Sequence, residues 1–404
     1  MEPGNLEPGT WNGRAPRCEN ERMPHVVVVG AGVFGVWTAH FLRASGIDVT
    51  IIDAYGPGHS RSSSGDESRI LRCGYGPDAL YTRFARRSRE LWQGLQIRLA
   101  PHELPVWWQC GVLWLPRGPD PYVDATRDTL RAEGCSVEVL DGATLHARYS
   151  HLEASTISSA LLEPDCGVLM ARRAVQVVCA DLTAGGATYV RSHVRAPDLL
   201  RRHPIVRLAD GRDIDADAIV FACGAWLPKM FPELLRGVIR PTRQTVVYFG
   251  TPAGDDRFGP ARTPAWIDFG SGIYGVPDLD GRGMKVGIDT HGPPIDPDDD
   301  DRVPDRASIS RARIWLAERF PAMANSPVIE TRVCAYENTD TGDFLIDRHP
   351  AHERVWLVGG GSGHGFKHGP AVGEYVAGLI TGTASQEPRF ALAAKGTEPR
   401  RVVL

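Results

Sequence analysis

The chain has no CxxC pair and no disulfide-scaffold spacing, although it carries eight cysteines at positions 18, 73, 110, 135, 166, 179, 223 and 334. No histidine falls at metal-ligand spacing from a cysteine. These absences argue against a stapled secreted domain and a structural zinc module, and they fit the reduced thiols of a cytoplasmic protein without a metal. No apolar run reaches the roughly 20 residues that a membrane-spanning helix needs. Residues 1–22 are rich in Gly, Pro, Glu, Asn and Arg and lack the apolar segment of a signal peptide. They are expected to be a disordered extension, with Met23 as the functional start. Large net charge is missing too. The 45 Lys and Arg against 49 Asp and Glu leave −4, no basis for expecting nucleic acid or an anionic membrane as partner. Internal repeats and low-complexity tracts are absent, which argues against solenoid and propeller arrays. What is present is an ordinary globular composition. At 404 residues the chain exceeds one simple core, so two intertwined domains are expected.

The strongest local pattern starts at Val26-Val27-Val28-Val29, a β-branched run suited to a buried parallel strand. Gly30-x-Gly32-Val33-x-Gly35 follows at once, then a helix over 36–43 and a second strand over 49–52 that ends in Asp53. Strand, glycine turn, helix, strand and terminal acid are in the order of a dinucleotide-binding fingerprint. The glycines let backbone approach a pyrophosphate, the helix N-terminus attracts it, and Asp53 can accept from ribose hydroxyls. A bare GxGxxG also occurs as a turn without a ligand; the flanking strands and acid are what favour binding here.

A polar connection from Ala54 to Gly76 follows, long enough to be functional or disordered. Residues 79–99 read as an amphipathic helix, 110–115 as a strand, 121–133 as a polar helix, and 188–194 as a strand after a helix near 172. Residues 217–221 repeat the logic of the first motif, a buried strand running into the small-residue turn Cys223-Gly224-Ala225-Trp226. From 240 to 289, segments around Val246, Trp266 and Lys285 read as antiparallel strands of a separate sheet. The acidic stretch 293–304 reads as a surface loop, 307–319 as a helix, 355–358 as a buried strand and 369–381 as a helix. The expected fold class is α/β with an α+β insertion. A Rossmann-type dinucleotide-binding domain takes 23–105, 158–236 and 340–390. A mainly antiparallel β-sheet substrate domain takes 106–157 and 237–339, and 391–404 form a tail.

Seven landmarks add a more specific pattern: the fingerprint, Gly65-Asp66…Arg69-Ile70-Leu71-Arg72, Pro241-Thr242-Arg243-Gln244, Lys285-Val286-Gly287, Cys334-Ala335-Tyr336, Phe344 to Pro350, and Ser362-Gly363-His364-Gly365-Phe366-Lys367. In this order they resemble the monomeric sarcosine oxidase and N-methyltryptophan oxidase family, within the D-amino acid oxidase superfamily, from about Val26 to Gly382. The resemblance implies FAD as cofactor, attached covalently through Cys334. It implies contacts to FAD from Gly30, Gly32, Val33, Gly35, Asp53, Ser64, Arg69, Val194, Cys223, Gly224, Trp226, Gly363, His364, Gly365 and Lys367. Arg72 and Lys367 match a pair of cations that hold a substrate carboxylate, a task that suits an arginine fork beside a lysine point charge. Arg69 matches an arginine over the flavin, and Lys285 the lysine that promotes reaction with oxygen. Tyr336 would line the substrate cavity. Cysteines, arginines and lysines are more often inert or solvated; position within the pattern singles these out.

Two departures stand out. Sarcosine-oxidising relatives carry a histidine where this chain has Asp289, and paired histidines where it has Ser62-Ser63-Ser64. Asp289 is grouped with the catalytic residues Lys285, Arg69 and Tyr336; it would attract a second cationic group or satisfy a nearby arginine. The expected activity is oxidation of an amino acid or its N-substituted derivative, with hydride passing from the α C–H to FAD and O2 becoming H2O2. The expected partners are that small molecule and O2, and the expected state is a cytoplasmic monomer. Alternatives are an amine dehydrogenase with another acceptor, a secondary-metabolism oxidase of a cyclic or carrier-bound amino acid, and a non-catalytic flavoprotein. A nicotinamide dehydrogenase would leave Cys334 and the 362–367 loop without a task.

Overall fold

The computed structural model of the chain describes residues 24–99, 103–197 and 204–397. The expected extension 1–22, Cys18, Met23 and the end of the tail from 398 lie outside the described residues. Strand β1 (His25–Val29) is β-branched and buried on both faces, as a central parallel strand requires. It pairs in parallel with β2 (Asp48–Asp53) and with Ala218–Phe221, Val26 standing opposite both Val49 and Ala218. Helix α1 (Val33–Ala44) crosses between β1 and β2. It starts three residues before the expected point, with Gly32 as its N-cap.

Two glycines are demanded by packing alone. Gly30 has φ +111°, and a Cβ there would lie 2.3 Å from the Ala222 carbonyl oxygen. A Cβ on Gly35 would lie 1.8 Å from the Gly30 oxygen. The crossing of strand, helix and neighbouring strand is therefore closed to any side chain.

The full sheet runs Leu345–His349, His352–Gly359, Ala218–Phe221, β1, β2, Thr188–Arg191. Its last five strands are parallel and Leu345–His349 is an antiparallel edge. Helices α1, Ala79–Arg98, Ala171–Ala184 and Gly369–Thr381 contribute to the core on one side. A second cluster, with Phe221, Leu227, Phe231 and Leu235, includes the alternate β1 residues Val27 and Val29.

The second sheet has eight strands, in the order Val328–Asn338, Arg240–Phe249, Met284–Ile288, Ile273–Val276, Ala265–Asp268, Val112–Trp114, Ser159–Glu163, Glu138–Asp141. It is antiparallel except that Ala265–Asp268 pairs in parallel with Val112–Trp114. Helix Arg306–Arg319 packs on it through Trp315, stacked on Trp266 at 3.9 Å and 14°. Ser159–Glu163, grouped by sequence with the dinucleotide-binding segments, is hydrogen-bonded into this sheet instead. Trp107–Trp108, grouped with the substrate domain, joins a small sheet with β3 (Ser68–Leu71) and Gly167–Met170.

The longest ladder was invisible to periodicity. Val328–Asn338 pairs along Arg240–Phe249, setting Gln244 opposite Cys334 and Thr242 opposite Tyr336. Its polar residues include Arg332, paired with Glu67 and Glu330, and Tyr336 and Glu337 at the site, so polarity along it does not mark an outward face. Among the described residues no helix is long and apolar enough to cross a membrane.

Candidate active site

A cavity of about 330 Å³ opens where β1, β2, Ala218–Phe221 and His352–Gly359 end, the place at which open α/β sheets bind ligands. Val29, Ile52, Ala222 and Val358 mark those strand ends in its wall. At Gly32 a Cβ would meet only Ser64 Oγ at 3.4 Å, so the missing side chain opens the cavity rather than relieving a clash. Helix α1 starts there with no side-chain cap from Gly32 and no acid in its first turn. That leaves its positive end suited to a pyrophosphate. Ser64 Oγ accepts from Val33 N at 3.1 Å. Asp53 has a task beyond the expected one. Its carboxylate accepts from the backbone N–H groups of Ala31, Tyr55 and Gly56 at 2.7, 2.8 and 2.7 Å, pinning the turn it shares with the ligand space. These features fit a bound dinucleotide such as FAD.

The acidic 293–304 stretch is fastened over this cavity. Lys229 pairs with Asp296 and Asp298 at 2.7 and 2.5 Å, and Trp226 Nε1 donates to Asp298 at 2.7 Å. Asp298, Lys229, Trp226 and Tyr55 all line the space. Of the expected cofactor residues, Gly30, Gly32, Val33, Asp53, Ser64, Arg69, Val194, Cys223, Gly224, Trp226, Gly363 and Gly365 line it as well. Gly35 lies behind, in the crossing described above.

A second, smaller cavity of about 70 Å³ abuts the first, and Arg69, Tyr336, Gly363 and Phe366 line both. Arg72, Lys367, His364 and Asp289 line the smaller one, joined by Tyr274 and Phe269, which sequence reasoning passed over. Arg72 donates to the Gly74 carbonyl, and its guanidinium lies 4.5, 5.2 and 5.5 Å from the ring centroids of Tyr75, Trp114 and Phe269. Such ring faces hold a planar cation through their π electrons. Lys367 is buried; its Nζ donates to the His364 carbonyl at 3.2 Å and lies 5.0 Å from the Tyr75 ring centroid. Burial, then Arg72, pushes the Lys367 ammonium well below its ordinary pKa. An anionic ligand beside Arg72 would offset both causes and favour the charged lysine, so the pocket suits a carboxylate.

The Arg72 turn is held from behind by Glu163, fully buried. Glu163 accepts from Cys73 N at 2.6 Å, Gly74 N at 3.2 Å and Trp114 Nε1 at 2.8 Å. Sulfur atoms of Cys73 and Cys166 stand within 4.8 Å of each other and of this carboxylate, a buried grouping that sequence spacing did not reveal. The N–H donors already occupy the carboxylate.

Behind the wall between the cavities sits Asp66, also absent from the expected set. Its carboxylate accepts from Lys285 Nζ at 2.5 Å, Arg69 at 2.6 Å and the Tyr248 hydroxyl at 2.9 Å. Burial opposes its ionisation, but Lys285 and Arg69 hold the Asp66 carboxyl well below the usual carboxylate range. Lys285 also donates to the Ser68 carbonyl at 2.8 Å and is fully buried; it lies behind the wall and lines neither cavity. Cys334, expected to carry the cofactor, likewise lines neither cavity; its Sγ lies 3.9 Å from Arg69 Nη2, while Ala335, Tyr336 and Glu337 beside it line the larger one. Attack by this thiol on a flavin calls for nearby cations that lower its pKa. Burial, together with Asp66, instead pushes it up against the pull of Arg69 and Lys285. The His364 ring turns from the larger cavity toward Tyr75 Oη, at 3.0 Å, and the Gly342 carbonyl, at 2.9 Å.

Residues 25–379 match the family model described as DAO, FAD dependent oxidoreductase. The chain is 31% identical over 366 residues to a monomeric sarcosine oxidase of Bacillus sp. (strain NS-129), covering 88% of this chain and 92% of that one. It is 26% identical to an N-methyl-L-tryptophan oxidase of Citrobacter koseri, covering 91% and 96%. Among solved structures it superposes on L-proline dehydrogenase from P. horikoshii with a TM-score of 0.79 at 22% identity, covering 92% and 97%, a likeness of fold. With a family match over nearly the whole described chain and a glycine-lined cavity at the strand ends to receive the cofactor, this protein belongs to the FAD dependent oxidoreductase (DAO) family.

Proposed function

We propose that this chain oxidises an amino acid or an N-substituted amino acid at its α C–H, forming an imine that leaves and hydrolyses. One observation carries this reading: a small cavity lined by Arg72 and Lys367 opens directly beside the cofactor cavity and shares Arg69, Tyr336, Gly363 and Phe366 with it. In this proposal Arg72 and Lys367 bind the substrate carboxylate. Tyr336 and Phe366 place the α-carbon at the junction, and the aromatic walls exclude water. FAD, when bound, supplies the hydride acceptor and passes two electrons to O2, giving H2O2. Cys334 is proposed as the covalent anchor on its place beside Ala335 and Tyr336, which line the cofactor cavity; the Arg69 guanidinium 3.9 Å from its sulfur favours the thiolate, against the larger opposing effect of burial. We further place the enzyme in the cytoplasm, where the seven described free thiols stay reduced, acting as a monomer.

The test is anaerobic addition of N-methyl, cyclic and primary amino acids while the flavin band is followed. Bleaching by one class supports the reading; no bleaching by any, with a full flavin complement, refutes it. Acid precipitation that leaves the flavin on wild type and releases it from Cys334→Ser would support the covalent link.

A second reading is favoured by one feature. Lys285 is tied to Asp66 and Ser68 rather than presented to the cavity, as an amine dehydrogenase with another acceptor would allow. Rapid oxygen consumption that is lost in Lys285→Met favours the oxidase; reduced enzyme that persists in air favours the dehydrogenase.

A further inference from the structure

Asp289 is the group in the smaller cavity that carboxylate binding leaves without a task. It follows the strand Met284–Ile288 and is the one carboxylate among that cavity's lining residues. Groups from several elements face it. The Tyr336 hydroxyl on Val328–Asn338 donates to its Oδ1 at 3.0 Å. Tyr274 on Ile273–Val276 lines the same space, as do Arg72 beyond β3 and Lys367 in the 366–368 turn. Arg69 and His364 complete the charged and titratable lining.

A zwitterionic amino acid meets a conflict in such a cavity. Its carboxylate suits Arg72 and Lys367, yet its ammonium group would then stand beside those two basic groups, with Arg69 close by and already paired to Asp66. Like charges brought together in a partly dry site repel strongly. Asp289 is the anion on hand to resolve the conflict. A carboxylate accepts about four hydrogen bonds, and Tyr336 accounts for one of them.

We propose that Asp289 pairs with the cationic nitrogen of a zwitterionic amino acid whose carboxylate lies on Arg72 and Lys367, and then accepts that nitrogen's proton. This rests on the amino acid oxidase reading above and deepens it. Only a proton moves in the step: the N–H bond breaks, an O–H bond forms on Asp289, and the electron pair stays on nitrogen. No oxidant is needed, and the resulting neutral amine has the lone pair that imine formation requires. Burial pushes the Asp289 carboxyl above its ordinary range, against the pull of Tyr336, Arg72 and Lys367, which makes it a better base than an exposed aspartate.

Two shape-matched carboxylates that cannot be oxidised as amines test the charge recognition. N,N,N-trimethylglycine and 3,3-dimethylbutanoate differ by one positive charge, and their binding to the holoenzyme is read by calorimetry. Wild type should prefer the charged ligand. Asp289→Asn should lower that preference about tenfold or more, as loss of a close charge pair does, and Asp289→Glu should retain most of it. An Asp289 that merely offsets Arg72 and Lys367 would shift both ligands equally on substitution, which would overturn the proposal.

The pH profile of anaerobic flavin reduction supplies the second measurement. In Asp289→Asn the rate should follow the neutral amine alone, rising about tenfold per pH unit up to the substrate's own pKa. Wild type should level off at lower pH, once Asp289 is ionised. Superimposable profiles would overturn the proton-accepting role. Failure of every amine to reduce wild-type flavin would sink the parent reading instead, and the ligand-pair result tells the two failures apart.

Discussion

Replacing Asp66 by asparagine keeps the shape of the buried hub and removes its charge. The carboxylate has no exposed side-chain surface and serves Lys285 at 2.5 Å and Arg69 at 2.6 Å, with Arg332 farther off at 4.0 Å. Lys285 is itself 1% exposed, so the substitution leaves an ammonium group with neither water nor counterion. Breaking a buried pair by removing one partner costs about 3–5 kcal/mol, well above the roughly 0–1 kcal/mol of exposed pairs. Urea denaturation of wild type and Asp66→Asn, followed by circular dichroism, should show a loss of that size. Asp66→Asn combined with Lys285→Met should cost less than the sum of the single changes, by about 0.5–3 kcal/mol, because the two share one interaction. The pH dependence has a definite sign. Asp66 ionises in the folded protein well below its ordinary pKa, so its contribution is complete above the unfolded value and fades as pH falls through the folded one. The gap between wild type and Asp66→Asn should stay constant above about pH 5 and narrow below about pH 4. A loss under about 1 kcal/mol, strict additivity, or a gap that widens in acid would refute the reasoning.

Gly32→Ala should fold and carry less FAD, since its Cβ meets only Ser64 Oγ at 3.4 Å; Gly35→Ala, with its Cβ 1.8 Å from the Gly30 oxygen, should be recovered unfolded. Flavin content per folded protein and circular dichroism separate the two. Arg72→Met should weaken binding of a simple carboxylate by about 2–5 kcal/mol, measured as the dissociation constant of 3,3-dimethylbutanoate on holoenzyme. Glu163→Gln removes the charge that holds the Cys73 and Gly74 N–H groups. It should lower stability by about 1–3 kcal/mol and weaken the same ligand although it lines neither cavity. Carboxylate affinity equal to wild type would show that Glu163 does not position Arg72.

The dinucleotide-binding fingerprint was legible because its parts lie within 28 consecutive residues. Strand, turn, helix, strand and acid from Val26 to Asp53 are bound by local geometry, and a Cβ at Gly30 or Gly35 is impossible for backbone reasons. Arg72, Lys367, Tyr336 and Asp289 could be named from motif resemblance, but nothing local states that they share one 70 Å³ cavity. The long ladder of Val328–Asn338 along Arg240–Phe249 helps bring them together, and its polar residues conceal the period of a strand. Asp66, which the sequence showed only as part of a landmark, and Glu163 were given no task for a related reason. Each is a common acid in its own stretch of chain and acquires meaning only when its hydrogen-bond partners arrive. Besides nearby Arg69, those of Asp66 come from 182 and 219 residues away at Tyr248 and Lys285, and two of those of Glu163 from about 90 residues away at Cys73 and Gly74. The sequence alone determined the strands and turn of the cofactor fingerprint and the chemical types in the site. The tertiary structure decided which charges are paired, because burial and counterions are set by contacts between segments far apart in the chain.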